Sequence, residues 1–319
     1  MFGTNDTNGQ RSLGGCVSAS SRARIWRVGL LGMLAGICLL GSATQGSPET
    51  EVTSAPEPKS DSAVADGVDN DEGWGTLSGR FVYDGIRPEL GFVAVCGEQD
   101  DLQNRHHVPD ESLVIDPTTK GIKNIVVYAR KVSRVHESYD RFAEVWLVQG
   151  HCRFEPHVLS LQTSQTLRIK NLSPMNQICL MRPPRRSWET NVLLRPGDDT
   201  VTSFVLQEYK PVPVTSVFHP WMKAYVLPRR NPYFAVTDEY GSFHIANLPA
   251  GNEIEFQVWH EQAKQAGGSF VAKPEWANGR FRTVIVKNTV KDLGEIKVSP
   301  SEFDIPRSRM TRKAGAAAR

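Results

Sequence analysis

The stretch Pro211-Val-Pro-Val-Thr-Ser-Val-Phe-His-Pro-Trp-Met-Lys-Ala-Tyr225 decides how the rest of the chain is read. Two apolar, strand-like runs flank a short loop that carries His219 and, three residues later, Met222. Pro220 and Trp221 stand between them and shape that loop. An imidazole and a thioether at this spacing are donors that a soft transition metal accepts, with a thiolate as their natural third partner. Three residues before His219, where that thiolate would stand, the chain has Ser216.

With 319 residues, 39% hydrophobic and 23% charged, the chain has material for two compact units plus tails. Its formal net charge of +2 argues against a nucleic-acid partner. Arg22, Arg24 and Arg27 precede the apolar run Val28-Gly-Leu-Leu-Gly-Met-Leu-Ala-Gly-Ile-Cys-Leu-Leu40, followed by Gly41-Ser-Ala43. Residues 1–43 therefore read as a secretory signal cut after Ala43, which sends the mature chain to the periplasm or cell envelope. As an anchor the run falls short of the ~20 apolar residues that span a bilayer, so no membrane span is expected after cleavage. A lipoprotein reading of Cys38 meets Ile37 where a small residue is normal.

Cleavage leaves Cys96, Cys152 and Cys179 in an oxidising space, enough for one disulfide and one thiol. Cys96 with Cys152 is the expected pair, since each lies at the edge of a strand-like segment, although connectivity is not fixed by sequence.

Residues 44–73 are small, polar and acidic, and read as a disordered linker. Residues 299–319, with Arg307, Arg309, Arg312, Lys313 and Arg319, read as a disordered basic tail. Between them the pattern is all-β. Strands are expected at Leu77–Tyr83, Asn124–Ala129, Glu144–Val148, Thr166–Lys170, Thr202–Leu206, Ala224–Leu227, Glu253–Trp259 and Phe281–Val286. Only Glu261–Gln265 offers a turn or two of helix.

Two resemblances organise these strands. Thr237-Asp-Glu-Tyr-Gly-Ser-Phe243 and Leu248-Pro-Ala-Gly251 resemble the turns of the carboxypeptidase-regulatory-like, transthyretin-type β-sandwich, and Gly79-Arg-Phe-Val-Tyr-Asp-Gly85 resembles that family's opening strand. The resemblance implies one sandwich split into residues 74–142 and 230–298. The intervening residues 143–229 are similar to amicyanin- and plastocyanin-like cupredoxins, which implies a Greek-key sandwich. The wider arrangement resembles exported bacterial cupredoxin-like proteins of the methylamine-utilisation type.

What the cupredoxin resemblance implies for function turns on four positions. A type 1 copper site takes two imidazoles, a thiolate and a weak axial thioether. Aligned on Asn171 and Pro174, the first imidazole position falls on Gln177, and the thiolate position falls on Ser216. His219 and Met222 remain. A hard hydroxyl and a neutral amide are poor ligands for copper, so the resemblance implies a degenerate site, no cofactor and no enzyme, in an envelope binding or scaffolding module. The partner would be an envelope protein or polysaccharide. The rival expectation is a copper-handling protein with a rearranged set of His219, Met222, Cys179 and Met175, since Met175, Cys179 and Met181 share the loop and strand of Gln177. Arg182, Arg185, Arg186 and Trp188 are the expected docking cluster for a partner.

Overall fold

The structure is a computed structural model that describes residues 73–89, 91–96, 106–183 and 189–305, with the backbone alone at 94–96 and 106. All of these residues fall in one compact unit. The signal segment, the linker up to residue 72 and the tail beyond residue 305 lie outside them.

Strands make up the regular structure, and the helical turns among the described residues are the 3₁₀ segments Ala277–Gly279 and Pro300–Glu302. No helix there is long and apolar enough to cross a membrane. Two sheets share the apolar cluster around the stretch quoted at the outset, and the first of them carries both of its strands. One has five strands in the order Thr190–Leu194, Gln177–Met181, Val212–Ser216, Lys223–Arg229 and Val158–Gln162. The other has four, in the order Asp199–Ser203, Thr166–Asn171, Glu144–Gly150 and Arg153–Glu155.

Period-two alternation explains their packing. In Gln177–Met181 and Thr166–Asn171 every second residue is buried, as a sheet with one core face requires. Leu147, Phe154, Leu161, Leu167, Ile169, Cys179, Met181, Val214 and Met222 form one apolar cluster from these elements. Each large side chain so buried contributes about 1.5–3 kcal/mol.

A second cluster, containing Leu77, Phe81, Ile122, Val127, Phe243, Phe256 and Ile296, draws on two further sheets. These are Ser242–Pro249, Trp74–Tyr83, Val290–Val298 and Phe234–Val236, Val126–Ala129, Glu253–Trp259, Arg280–Val284. Val126, Tyr128, Val158, Leu227 and Trp259 form a third cluster, drawn from strands that feed both of the others.

Two polar links join the same strands. Arg229 is only 1% exposed. Its guanidinium donates to the carbonyls of Glu208 at 2.8 Å, Ala129 at 3.2 Å and Arg130 at 3.1 Å. His157, buried after the bend at Pro156, pairs through Nε2 with the carboxylate of Glu261.

Three local expectations change. The strand expected at Thr202–Leu206 is Asp199–Ser203, because its partner Thr166–Asn171 offers pairing positions only as far as Ser203. Glu261–Gln265 is a pair of turns rather than helix, tied by a bridge between Ala263 and Phe303. Residues 299–305, assigned to the disordered tail, are ordered, because Phe303 is buried against Tyr83, Phe270 and His260.

Candidate functional site

Two loops bring the four singled-out positions together. The first leaves the strand Thr166–Asn171 and is braced by Asn171, which is fully buried. Its Nδ2 donates to the carbonyls of Met175 at 2.8 Å and Leu194 at 3.0 Å. Its Oδ1 accepts from the Ser173 N–H at 2.9 Å and the Ser173 hydroxyl at 2.8 Å. A side chain so saturated fixes the loop and delivers Gln177 to the start of the next strand.

The second loop runs from Ser216 to Met222. Ser216 ends its strand directly opposite Cys179. The Met222 N–H donates to the His219 carbonyl at 2.8 Å, and the Met222 carbonyl accepts from the Ser216 N–H at 3.4 Å. The Ser216 hydroxyl accepts from the His219 N–H at 3.2 Å, closing the turn from inside.

At the meeting point the side chains of Gln177, Ser216 and His219 bond to one another. Gln177 Oε1 accepts from the Ser216 hydroxyl at 3.2 Å and lies 3.0 Å from His219 Nδ1. An amide oxygen only accepts, so in this arrangement Nδ1 carries the imidazole proton and the lone pair sits on Nε2. Gln177 Nε2 donates back to the Ser173 hydroxyl at 3.3 Å. Burial lowers the His219 pKa, which favours this neutral ring. Trp221 packs edge-on against it, with centroids 5.1 Å apart.

The sulfur donors fare differently. Met222 is 1% exposed and Cys179 is fully buried, both inside the apolar cluster. Burial pushes the Cys179 thiol up to about 12, so it is a protonated packing group at neutral pH rather than a thiolate. Met175 is 44% exposed, and its carbonyl serves the loop. Among the described residues no group of three or more His, Cys, Asp or Glu side chains is arranged to hold a metal.

A copper ion does not fit these residues as they stand. The nitrogen of His219 that faces Gln177 and Ser216 is the one bearing the proton, and the nearest thiol is held uncharged. Binding there would cost both side-chain hydrogen bonds to Gln177 Oε1 and the burial that keeps Cys179 neutral.

Comparison with known proteins returns little for the whole chain. No protein-family model matches it, and no curated protein does. Among solved structures, it is similar to a purple cupredoxin from Nitrosopumilus maritimus at 15% identity, over 26% of this chain and 97% of that one, with a TM-score of 0.23. An oxidised amicyanin with a single proline-to-glycine change overlaps 32% of this chain and 98% of its own at 9% identity and a TM-score of 0.25. The copper-containing nitrite reductase of Thermus scotoductus SA-01 covers 31% of this chain and 25% of its own, at 14% identity and a TM-score of 0.25. The likeness is local, and at these TM-scores it carries no functional weight.

The remaining candidates divide. Arg182 is exposed and paired with Glu189 at 3.0 Å, while Arg185, Arg186 and Trp188 lie outside the described residues. Cys152 is disulfide-bonded and Cys179 is a free thiol; the Cys96 side chain lies outside the described set. Sequence reasoning marks Gln177 and Ser216 only as missing ligands. It does not foresee that they bond each other, and the one available signal is that both residues carry hydrogen-bonding groups at adjacent loop ends.

Proposed function

We propose that this chain is an exported, non-enzymatic, cupredoxin-like binding module whose type 1 copper site has been replaced by a protein hydrogen-bond network. The observation that carries the reading is the acceptance by Gln177 Oε1 of hydrogen bonds from the Ser216 hydroxyl and His219 Nδ1. A site that has exchanged ligands for mutually satisfied donors and acceptors stabilises its two loops without metal. What the loops then present is surface: Leu172, Met175, Val217 and Phe218 are 60%, 44%, 52% and 52% exposed beside the network. Apolar side chains at loop tips of this kind supply the contact area of a protein-binding face.

The test is copper loading of the purified mature chain, followed by removal of loose metal and measurement of metal content and of any thiolate-to-copper absorption. The module reading expects no retained stoichiometric metal. One equivalent of copper that disappears in His219→Ala would replace it with the copper-handling reading based on His219, Met222, Cys179 and Met175.

A further inference from the structure

A second feature lies in a different part of the molecule. A cleft of about 270 Å³ is walled by Tyr128, Arg130, Tyr209, Lys210, Trp259 and Arg280, and no carboxylate lines it. Of its three cations, Arg130 pairs with Glu255 at 2.7 Å. No ion pair among the described residues involves Lys210 or Arg280. The Lys210 ammonium donates to the Ala266 carbonyl at 3.3 Å, and Arg280 Nε donates to the Gln257 amide oxygen at 3.2 Å.

Beneath Tyr128 lies a fourth cation: the Arg229 guanidinium stands 4.6 Å from the ring centroid. It is held by carbonyls, without an ion-pair partner among the described residues, and its Nε is buried with no hydrogen-bond acceptor. In a chain of near-zero net charge, four cations against one carboxylate make a locally positive field with low-dielectric walls. Burial raises the Tyr128 hydroxyl to about 12, although Arg229, Arg130 and Arg280 all pull it the other way.

The backbone is shaped to permit this. Gly267 and Gly268 both have a φ of +77°, in the left-handed region that glycine enters without penalty. A Cβ on Gly267 would meet the Lys210 ammonium at 1.8 Å, and one on Gly268 would meet the Trp259 indole nitrogen at 2.1 Å. The two glycines thus let Lys210 and Trp259 close in on the cleft. Next to it, a cleft of about 400 Å³ shares Arg130 and Tyr209 as walls and adds Lys131, Gln207 and Arg282 with the carboxylates of Glu253 and Glu255, both of which pair with Arg282.

We propose that the cleft between Tyr128, Tyr209, Lys210 and Arg280 binds an acidic sugar, a carbohydrate unit bearing a carboxylate. Lys210 and Arg280 take the carboxylate. Tyr209, 47% exposed, offers its ring as a face for the sugar, and the adjoining cleft offers room for the next unit of a chain. The inference adds a ligand class to the binding-module reading but uses none of Gln177, Ser216 or His219, so either can fail alone.

The experiment is calorimetric titration of the mature chain with glucuronate, glucose and inorganic phosphate at low and high salt. Glucuronate is expected to bind, glucose at least tenfold more weakly, and the difference to shrink in salt. Lys210→Gln and Arg280→Gln, both at exposed positions, are each expected to weaken glucuronate about tenfold at unchanged thermal stability. No binding of glucuronate at millimolar concentration, equal binding of glucose, or indifference to both substitutions overturns the site. Phosphate binding as tightly as glucuronate overturns the sugar.

Discussion

Gln177 Oε1 lies 3.0 Å from His219 Nδ1 and also accepts the Ser216 hydroxyl, so one buried amide oxygen satisfies two donors from the neighbouring loop. Gln177 is 1% exposed, and its replacement by leucine keeps the bulk while removing the acceptor. Gln177→Leu is expected to destabilise the fold by about 1–3 kcal/mol, the cost of stranding a buried donor. The measurement is urea unfolding followed by tryptophan fluorescence.

The same geometry predicts a gain of function. Gln177→His with Ser216→Cys places an imidazole and a thiolate-forming group at the two positions that now hold the amide and hydroxyl, beside His219 and Met222. The double variant is expected to retain one equivalent of copper and to show an intense thiolate-to-copper absorption band. Absence of that band in a folded double variant would mean that the two loops do not hold these groups in a copper-binding geometry.

How much of this is legible in the sequence depends on local pattern. Leu77–Tyr83 and Glu253–Trp259 are β-branched and aromatic runs whose strand character is intrinsic, and both form strands. Gln177 and Ser216 can be found because each stands at a short spacing from a distinctive neighbour, three residues after Pro174 and three before His219. Val290–Val298 escapes notice because Lys291, Asp292, Glu295 and Lys297 break an apolar run, although Ile296 and Val298 are buried. Arg229 is unreadable for a different reason. Its neighbours in space, the carbonyls of Ala129 and Arg130, are separated from it by 100 and 99 residues, and an isolated arginine in sequence reads as surface.

Arg229 should therefore be one of the least replaceable residues of the chain. Arg229→Met keeps the apolar stem but removes the guanidinium donors to the carbonyls of Glu208, Ala129 and Arg130. A loss of about 3 kcal/mol or more is expected, and Arg229→Lys should not rescue it, because an ammonium cannot span the three acceptors. Thermal unfolding of both variants checks this.

Stability should depend on pH through two buried histidines of opposite sign. Burial opposes protonation of His157, but the hydrogen bond and charge of Glu261, with Glu111 3.9 Å from Nδ1 and the Lys223 carbonyl, outweigh it and raise the pKa above its ordinary value. That contribution is fully present below about 6.5, the unfolded value, and is lost as pH rises through the folded pKa. Burial, and then the charge of His157, lower His260 to about 3, against the pull of the Lys123 carbonyl. Its neutral form favours folding, so stability is lost as pH falls from about 6.5 toward 3. Urea titrations across pH are expected to show both limbs, and His157→Gln should flatten the alkaline limb and shrink the acid one slightly, since the charge of His157 is a smaller cause of the His260 shift than burial.

The most direct test of the central claim is the copper content of the purified chain after loading with copper(I) or copper(II) and exhaustive dialysis. A closed network of Gln177, Ser216 and His219 predicts well below one equivalent retained, with no thiolate-to-copper band. One tightly held equivalent, abolished in His219→Ala, would contradict it.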